Sequence, residues 1–286
     1  MIKLFTDTSA NLPLETIKKY GIQVLAFEYT VDGVTADYSY ETDFDGESFY
    51  NSMRQGADVK TCLISMGKFI DAFEPELEQG NDVIYVGMSG GISSTASVAA
   101  ISAAELQEKY PERHILAFDT LAASLGEGLF VLRAAELIEQ GADFQAVSDM
   151  LFSMQPNMCQ YFTVDDLKYL RKGGRISGAA AVIGSVLNIK PILQGDEAGR
   201  IIVNNKIRGR KNALKHLAEL YDQTVADRAG QIGISHADDI AGAEHLLELL
   251  RQKGFTGDCI TVMYEPVTGS HVGPGTIALF YPGIHK

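Results

Sequence analysis

The stretch 82-DVIYVGMSGGISSTASVAAISAAELQEKY-110 decides the fold. Asp82–Met88 is a short, continuous, β-branched and aromatic run, the pattern of a strand buried on both faces. Glycines and serines follow, and from Ser93 to Tyr110 small and apolar residues recur at helical spacing. A buried strand that turns through glycine into a helix is one unit of a parallel sheet covered by helices.

The same alternation extends in both directions. Ile2–Thr6 reads as a strand, and Leu12–Tyr20 reads as a helix with Asn11 as its N-cap and Pro13 in its first turn. Ile22–Val31 is an extended run, and Phe44–Gln55 and Met66–Gln79 read as helices. Downstream, His114–Phe118 reads as a strand, and Ala122–Gln140 and Phe144–Met154 as helices. After Pro156 the pattern changes. Met158–Val164, Ile189–Leu193, Arg200–Ile207, Gly230–Ser235, Cys259–Tyr264 and Thr276–Tyr281 read as strands; Asp165–Lys172, Asn212–Thr224 and Ala241–Lys253 read as helices. The expected fold class is α/β with two domains. Residues 1–156 form a three-layer α/β/α domain on a mainly parallel sheet, and residues 157–286 an α+β domain on a mixed sheet. Two domains also suit a chain of 286 residues, at about 150 residues per domain.

The net charge is −13, which argues against binding to nucleic acid or to anionic membranes. The charge is unevenly placed. Between Lys168 and Lys215 there are eleven Lys and Arg and two acids, a window of +9 on a background of −22. Such asymmetry suggests an interaction surface. Aromatic residues are not interleaved with these charges, so a nucleic-acid regulator is disfavoured. The longest apolar run, Ala179–Leu187, is far short of the roughly 20 residues of a membrane span. The N-terminal MIKLFTDTS lacks the apolar core of a signal peptide, so the expected location is cytoplasmic. Cys62, Cys159 and Cys259 are widely spaced, giving neither a disulfide framework nor a metal site.

Four segments carry chemistry-bearing residues. TDTSANLP, residues 6–13, ends the first strand and places Asp7, Thr8 and Ser9 where ligands gather in parallel sheets; the same residues also serve as turn caps. Gly87–Thr95 contains G-x-S-x-G with Ser89 at its centre, and Asp119 and His236 or His271 follow in hydrolase order. Against a nucleophile, Gly90-Gly91 delay the helix and no HGGG segment supplies an oxyanion hole. An anion or carboxylate site built on backbone N–H groups suits the loop better. Val267–Gly275, between two strands, wraps three glycines and a proline around His271, an unusual backbone path beside a hydrogen-bonding imidazole. DDLKYLRKGGRISG, residues 165–178, sets Lys168, Arg171, Lys172 and Arg175 around a glycine hinge, either as a solvated helix end or as a docking patch for an acidic or phosphoryl partner. No Walker A or Rossmann glycine pattern is present, so no nucleotide site is inferred.

Taken together and in order, TDTSANLP, SGGISST at 89–95, DDLKYLRKGGRISGAAAVIGSVLNIKPIL at 165–193 and GSHVGPGTIALFY at 269–281 resemble the DegV family of bacterial fatty-acid-binding proteins. The resemblance covers the whole chain. It implies a non-enzymatic carrier that holds one long-chain fatty acid, such as palmitate, in an apolar tunnel at the domain junction. It implies no catalytic residue, metal or cofactor and no stable membrane insertion; the fatty acid is the bound ligand. Carried over by position, Thr61, Ser93 and His271 hold the carboxylate, with Asp7, Ser94 and Ser270 as supporting residues. The family's T-S-Q-P-S-like block reads Thr61-Cys62-Leu63-Ile64-Ser65 here: the threonine is kept, while the second hydroxyl, the glutamine and the proline are not. Some members of the family present the acid to a separate fatty acid kinase, which makes Arg171, Lys172 and Arg175 docking candidates. The runner-up from the motifs alone is an α/β-hydrolase with Ser89 as nucleophile.

Overall fold

The computed structural model describes residues 1–38, 44–176 and 188–284. The small-residue stretch Ser177–Leu187 lies outside them. In chain order the strands are β1 Ile2–Asp7, β2 Gln23–Leu25, β3 Glu28–Val31, β4 Val34–Asp37, β5 Val59–Thr61, β6 Asp82–Gly87, β7 Ile115–Asp119, β8 Met158–Thr163, β9 Ile189–Gly195, β10 Ile201–Arg208, β11 Ile232–His236, β12 Cys259–Met263 and β13 Ile277–Pro282.

The parallel sheet has the order β2-β1-β6-β7. Its alternating side chains sort into two layers. Phe5, Val83 and Tyr85 pack on Phe69, Phe73 and Leu77 of the helix Met66–Glu78 and on Ala99 and Leu106 of the helix Thr95–Lys109. Leu4, Ile84 and Val86 join the cluster that holds Ile17 of the helix Leu14–Tyr20 and Phe130, Val131 and Ala134 of the helix Leu125–Glu139. Apolar residues on both faces of β6 thus bury it between helices, giving the expected α/β/α layering.

The second sheet runs β10-β9-β8-β13-β11-β12, antiparallel except for β11 with β12. One face, with Tyr161, Ile234 and Leu279, is covered by the helices Arg210–Thr224 and Ile240–Gln252. The other face, with Phe162, Leu193 and Phe280, belongs to the same core as the helix Leu125–Glu139. That helix is buried almost throughout its first three turns because it lies between the two sheets. The approach requires glycine. A Cβ at Gly126 would stand 2.9 Å from the Phe280 ring, and one at Gly128 only 2.5 Å from the Ala10 carbonyl oxygen.

Four local readings are corrected. Asn11 does not cap the first helix. It adopts φ 55° and closes a short 3₁₀ turn, Thr8–Ala10, while the helix starts at Leu14 after Pro13. The run Ile22–Val31 is two strands in different sheets: β3 leaves the parallel sheet to form a small antiparallel sheet, β4-β3-β5. The helix expected over Asp165–Lys172 is only Lys168–Lys172. The segment read as a loop around His271 contains a helix, Pro266–Val272. Its start is fixed by the Glu265 carboxylate, which accepts from the Val267 and Thr268 N–H groups, and by Pro266 in the first turn. Only Gly273 and Gly275, at φ 81° and 79°, keep the left-handed backbone that the glycines suggest.

The segment from Met263 to Val272 returns to the first half of the chain. Asn11 donates to the Met263 carbonyl and accepts from the Glu265 N–H, and Tyr50 donates to the Tyr264 carbonyl at 2.9 Å. These bonds place the helix carrying His271 against the end of β5.

Candidate functional site

A cavity of about 260 Å³ lies where the two sheets meet. The β6–helix loop supplies Met88, Ile92, Ser93 and Ser94, and the end of β5 supplies Thr61 with Cys62 and Leu63 just beyond it. Gln160, Phe162 and Phe280 come from the second sheet; Val267, Thr268, His271 and Val272 come from the helix Pro266–Val272. The wall is largely hydrocarbon and aromatic. Among the described residues its one charged group is Arg175, and no carboxylate lines it.

The polar groups gather around His271. Thr61 Oγ1 and His271 Nε2 are 3.0 Å apart. The imidazole stands close against Gly173, where a Cβ would fall 2.3 Å from Nδ1, so no other residue fits there without displacing the ring. Burial, and then the positive charge of Arg175, holds His271 down at about 4, so the ring is neutral near neutral pH. With the proton on Nε2, His271 donates to Thr61 and leaves the threonine proton free for a ligand. Arg175 is anchored by its Nε, which donates to the Ile92 carbonyl at 3.1 Å. Ser93 donates to Thr95 Oγ1 at 3.1 Å and accepts from the Thr95 N–H at 3.3 Å. Its hydroxyl is therefore fixed at the start of the helix Thr95–Lys109, where the backbone favours negative charge. Ser94 occupies the N-cap position, but its side chain makes no capping bond.

The residues singled out in the sequence separate into three places. Thr61, Ser93, Ser94, His271 and Arg175 share the cavity wall. Arg175, expected as surface docking charge, is half-buried and lines both the cavity and the neighbouring surface groove with Gly91, Ile92 and Arg200. Arg171 and Lys172 are exposed on the surface, and Lys172 pairs with Asp58 at 2.5 Å. Asp7 and Ser270 are buried away from the wall. Asp7 accepts from Ser9 and from Tyr85, and Ser270 donates to the Val267 carbonyl at 2.8 Å. Cys62 and Leu63 lie in the wall itself. Thr268, Gln160 and the ring of Phe162 were not singled out; the i, i+3 spacing of Thr268 and His271 is a signal only once that segment is known to be helical.

The hydrolase arrangement is absent. Ser89 is fully buried, donates to the Gly199 carbonyl at 2.9 Å and accepts from the Gly91 N–H at 3.0 Å. Asp119 is occupied by the Gly90 and Leu121 N–H groups, and His236 accepts from the Asp239 N–H. Among the described residues no hydrogen bond links Ser89 to a histidine or a carboxylate. Ser89 instead docks the loop after β6 onto the turn between β9 and β10. Among the described residues no group of three or more His, Cys, Asp or Glu could hold a metal ion, and no helix is long and apolar enough to cross a membrane.

Residues 1–282 match a family model described as "Uncharacterised protein, DegV family". A DegV domain-containing protein from Clostridium perfringens is 36% identical over 284 residues, covering 99% of this chain and 98% of the relative. A solved structure of a fatty-acid-binding DegV family protein from Streptococcus agalactiae is 30% identical, with a TM-score of 0.87 over 98% of both chains. Another, describing fatty acid binding by a DegV family protein from Thermus thermophilus, is 29% identical, with a TM-score of 0.87 over 98% of this chain and 99% of that one.

Proposed function

The chain belongs to the DegV family, and from that premise we propose that it binds one long-chain fatty acid, with the acyl chain in the cavity and the carboxylate at its polar end. The observation that carries this reading is the imbalance in the cavity wall. Hydroxyls of Thr61 and Ser93, a neutral His271 and the Arg175 cation converge there, and among the described residues no acidic side chain lines the wall to satisfy them. Solved relatives described as fatty-acid-binding proteins support the choice of ligand. Thr61 donates directly, Ser93 donates once its hydroxyl proton turns from Thr95 Oγ1 to the acid, His271 orients Thr61, Arg175 balances the charge, and Ser94 stands at the rim. Burying a carboxylate without such partners would be prohibitive. Burial of a 16-carbon chain contributes up to about 12 kcal/mol before the costs of association, so apolar contact suffices for tight retention.

In this reading the protein is a carrier without a catalytic step or cofactor of its own. It works in the cytoplasm and divides functionally at residue 156 into two domains that close on the ligand. A fatty acid kinase is the proposed acceptor, docking near Arg171 and Lys172 and phosphorylating the carboxylate that the carrier presents. Native mass spectrometry of the purified protein, before and after incubation with palmitate, tests the ligand. One bound acid per chain is expected; a protein that takes up none contradicts the reading.

A further inference from the structure

Gln160, in β8, lines the cavity but takes no part in the head-group site. It shares a strand face with Phe162, about 7 Å away. From Phe162 the chain runs on toward the helix Lys168–Lys172 and Gly173, against which His271 stands. Gln160 is therefore one strand step beyond Phe162 from the carboxylate end.

The amide is locked in one orientation. Its Nε2 donates to the Leu121 carbonyl at 2.8 Å, so Oε1 is the atom left to face elsewhere. Leu121 presents that carbonyl from a left-handed backbone, φ 53°, which is unusual for a bulky residue, and its own N–H is tied to Asp119 Oδ1 at 2.9 Å. Glycines leave the amide its space: a Cβ at Gly195 would stand 2.8 Å from Nε2, and one at Gly126 3.3 Å from Oε1. Oε1 accepts from no donor among the described residues. It is not sealed off either. The sealed, unpaired side-chain atoms of those residues are Thr163 Oγ1, Arg210 Nη1, Tyr221 Oη and Thr268 Oγ1, whereas Gln160 is half-buried in the cavity wall. A fixed, open carbonyl in a wall of hydrocarbon is an acceptor without a donor, and an unsubstituted acyl chain brings none.

We propose that the cavity takes long-chain acids bearing a hydroxyl in the distal half of the chain, the hydroxyl donating to Gln160 Oε1. The proposal rests on the fatty-acid reading and narrows its ligand class. A plain chain displaces water from Oε1 and leaves it unpaired; a hydroxyl restores the bond and is itself satisfied. A site that hydrogen-bonds a hydroxyl discriminates more sharply than an apolar pocket that measures length.

The test uses the full chain, stripped of lipid. Its Kd for palmitate is compared with those for hydroxypalmitates carrying the hydroxyl beside the carboxylate, at mid-chain or on the terminal carbon. Wild type is expected to bind one of the two distal isomers at least as tightly as palmitate and to gain nothing from the hydroxyl beside the carboxylate. Gln160→Leu is expected to weaken the favoured isomer about tenfold relative to palmitate. The two acids share a carboxylate and a chain length, so their Kd ratio reads the amide, and any loss from the missing Leu121 contact moves both together. Wild type that binds both distal isomers more weakly than palmitate overturns the proposal, and that comparison needs no variant. So does a ratio that Gln160→Leu leaves unchanged. Wild type that binds neither palmitate nor any hydroxypalmitate would sink the fatty-acid reading itself.

Discussion

Two runs of small hydroxyl residues stand at the carboxyl ends of adjacent parallel strands: Asp7-Thr8-Ser9 after β1 and the loop from Ser89 to Thr95 after β6. They occupy equivalent places in the sheet and meet different fates. The first is closed by the protein's own carboxyl groups. Ser9 Oγ touches both Asp7 and Glu127, Tyr85 donates to Asp7 at 2.5 Å, and all four residues are buried. The second gives the Asp119 carboxylate only the Gly90 backbone N–H; among the described residues no carboxylate lines its cavity side, and Arg175 stands beside it. In the proposed reading, a strand-end polar cluster takes a ligand where the fold withholds the counter-group from its hydroxyls. In the first cluster Glu127, from a helix far along the chain, already supplies it.

The first cluster also carries a proton count. Ser9 has one hydroxyl proton and two carboxyl neighbours, so one of those contacts needs a proton from a carboxyl group. Burial, then the Asp7 charge, holds Glu127 well above the ordinary carboxyl range, and burial raises Asp7. Burial also pushes Glu265, at the start of the His271 helix, up to about 7. Among the described residues none of the three pairs with a cation. A group whose folded pKa exceeds its unfolded value stabilises fully below the unfolded value, and loses that contribution as pH rises through the folded one.

The largest effect expected from this contrast is therefore in stability. Raising the pH from about 4.5 to about 7 lowers the melting temperature, with a loss of up to about 3 kcal/mol from Glu265 alone. Glu127→Gln flattens the alkaline part of the curve and leaves palmitate affinity unchanged. Thermal melts across pH check both, and stability that stays level or rises with pH would break the contrast. Next in size, Arg175→Met removes the cation from the second cluster and weakens palmitate binding about ten- to hundredfold. Equilibrium binding at constant pH measures it, and unchanged affinity would return Arg175 to the surface role read from its sequence.

The basic run shows where the sequence was silent. Charge patterning counts Arg175 with Arg171 and Lys172 but cannot tell that, after Gly173-Gly174, Arg175 is half-buried between the cavity and a surface groove while the other two are exposed. The parallel sheet was legible because Val83–Val86 is apolar on both faces. The small sheet was not, because Ile22–Val31 is one apolar run that breaks at Phe27, whose N–H bonds to Thr8 Oγ1 across the fold. The helix Pro266–Val272 was hidden by Gly269 and three β-branched residues, Val267, Thr268 and Val272. Its stability comes from the Glu265 cap and from packing against Tyr50, where a Cβ at Gly269 would fall 2.0 Å from the phenol oxygen. His271 and the loop that holds Ser93 were legible from their glycine-rich surroundings, whereas Thr61 was available only through the family resemblance.

Smaller effects sharpen the contrast further. Ser93→Ala and His271→Ala each weaken palmitate binding about tenfold or less, the second through loss of Thr61 orientation; unchanged affinity in both would remove them from the head-group site. Smallest of all, Lys172→Ala leaves the melting temperature essentially unchanged, because its pairing with Asp58 is exposed and screened by solvent. It leaves palmitate affinity intact and slows association with the proposed kinase, as a pull-down or kinetic binding assay would show.

The central claim is that the second cluster is completed by a foreign carboxylate. A crystal structure of the palmitate complex tests it most directly. The account predicts carboxylate oxygens within hydrogen-bonding distance of Thr61 and Ser93, with Arg175 alongside and the acyl chain running past Phe162 and Phe280. An acid bound elsewhere, or bound with its carboxylate turned away from Ser93, would contradict it.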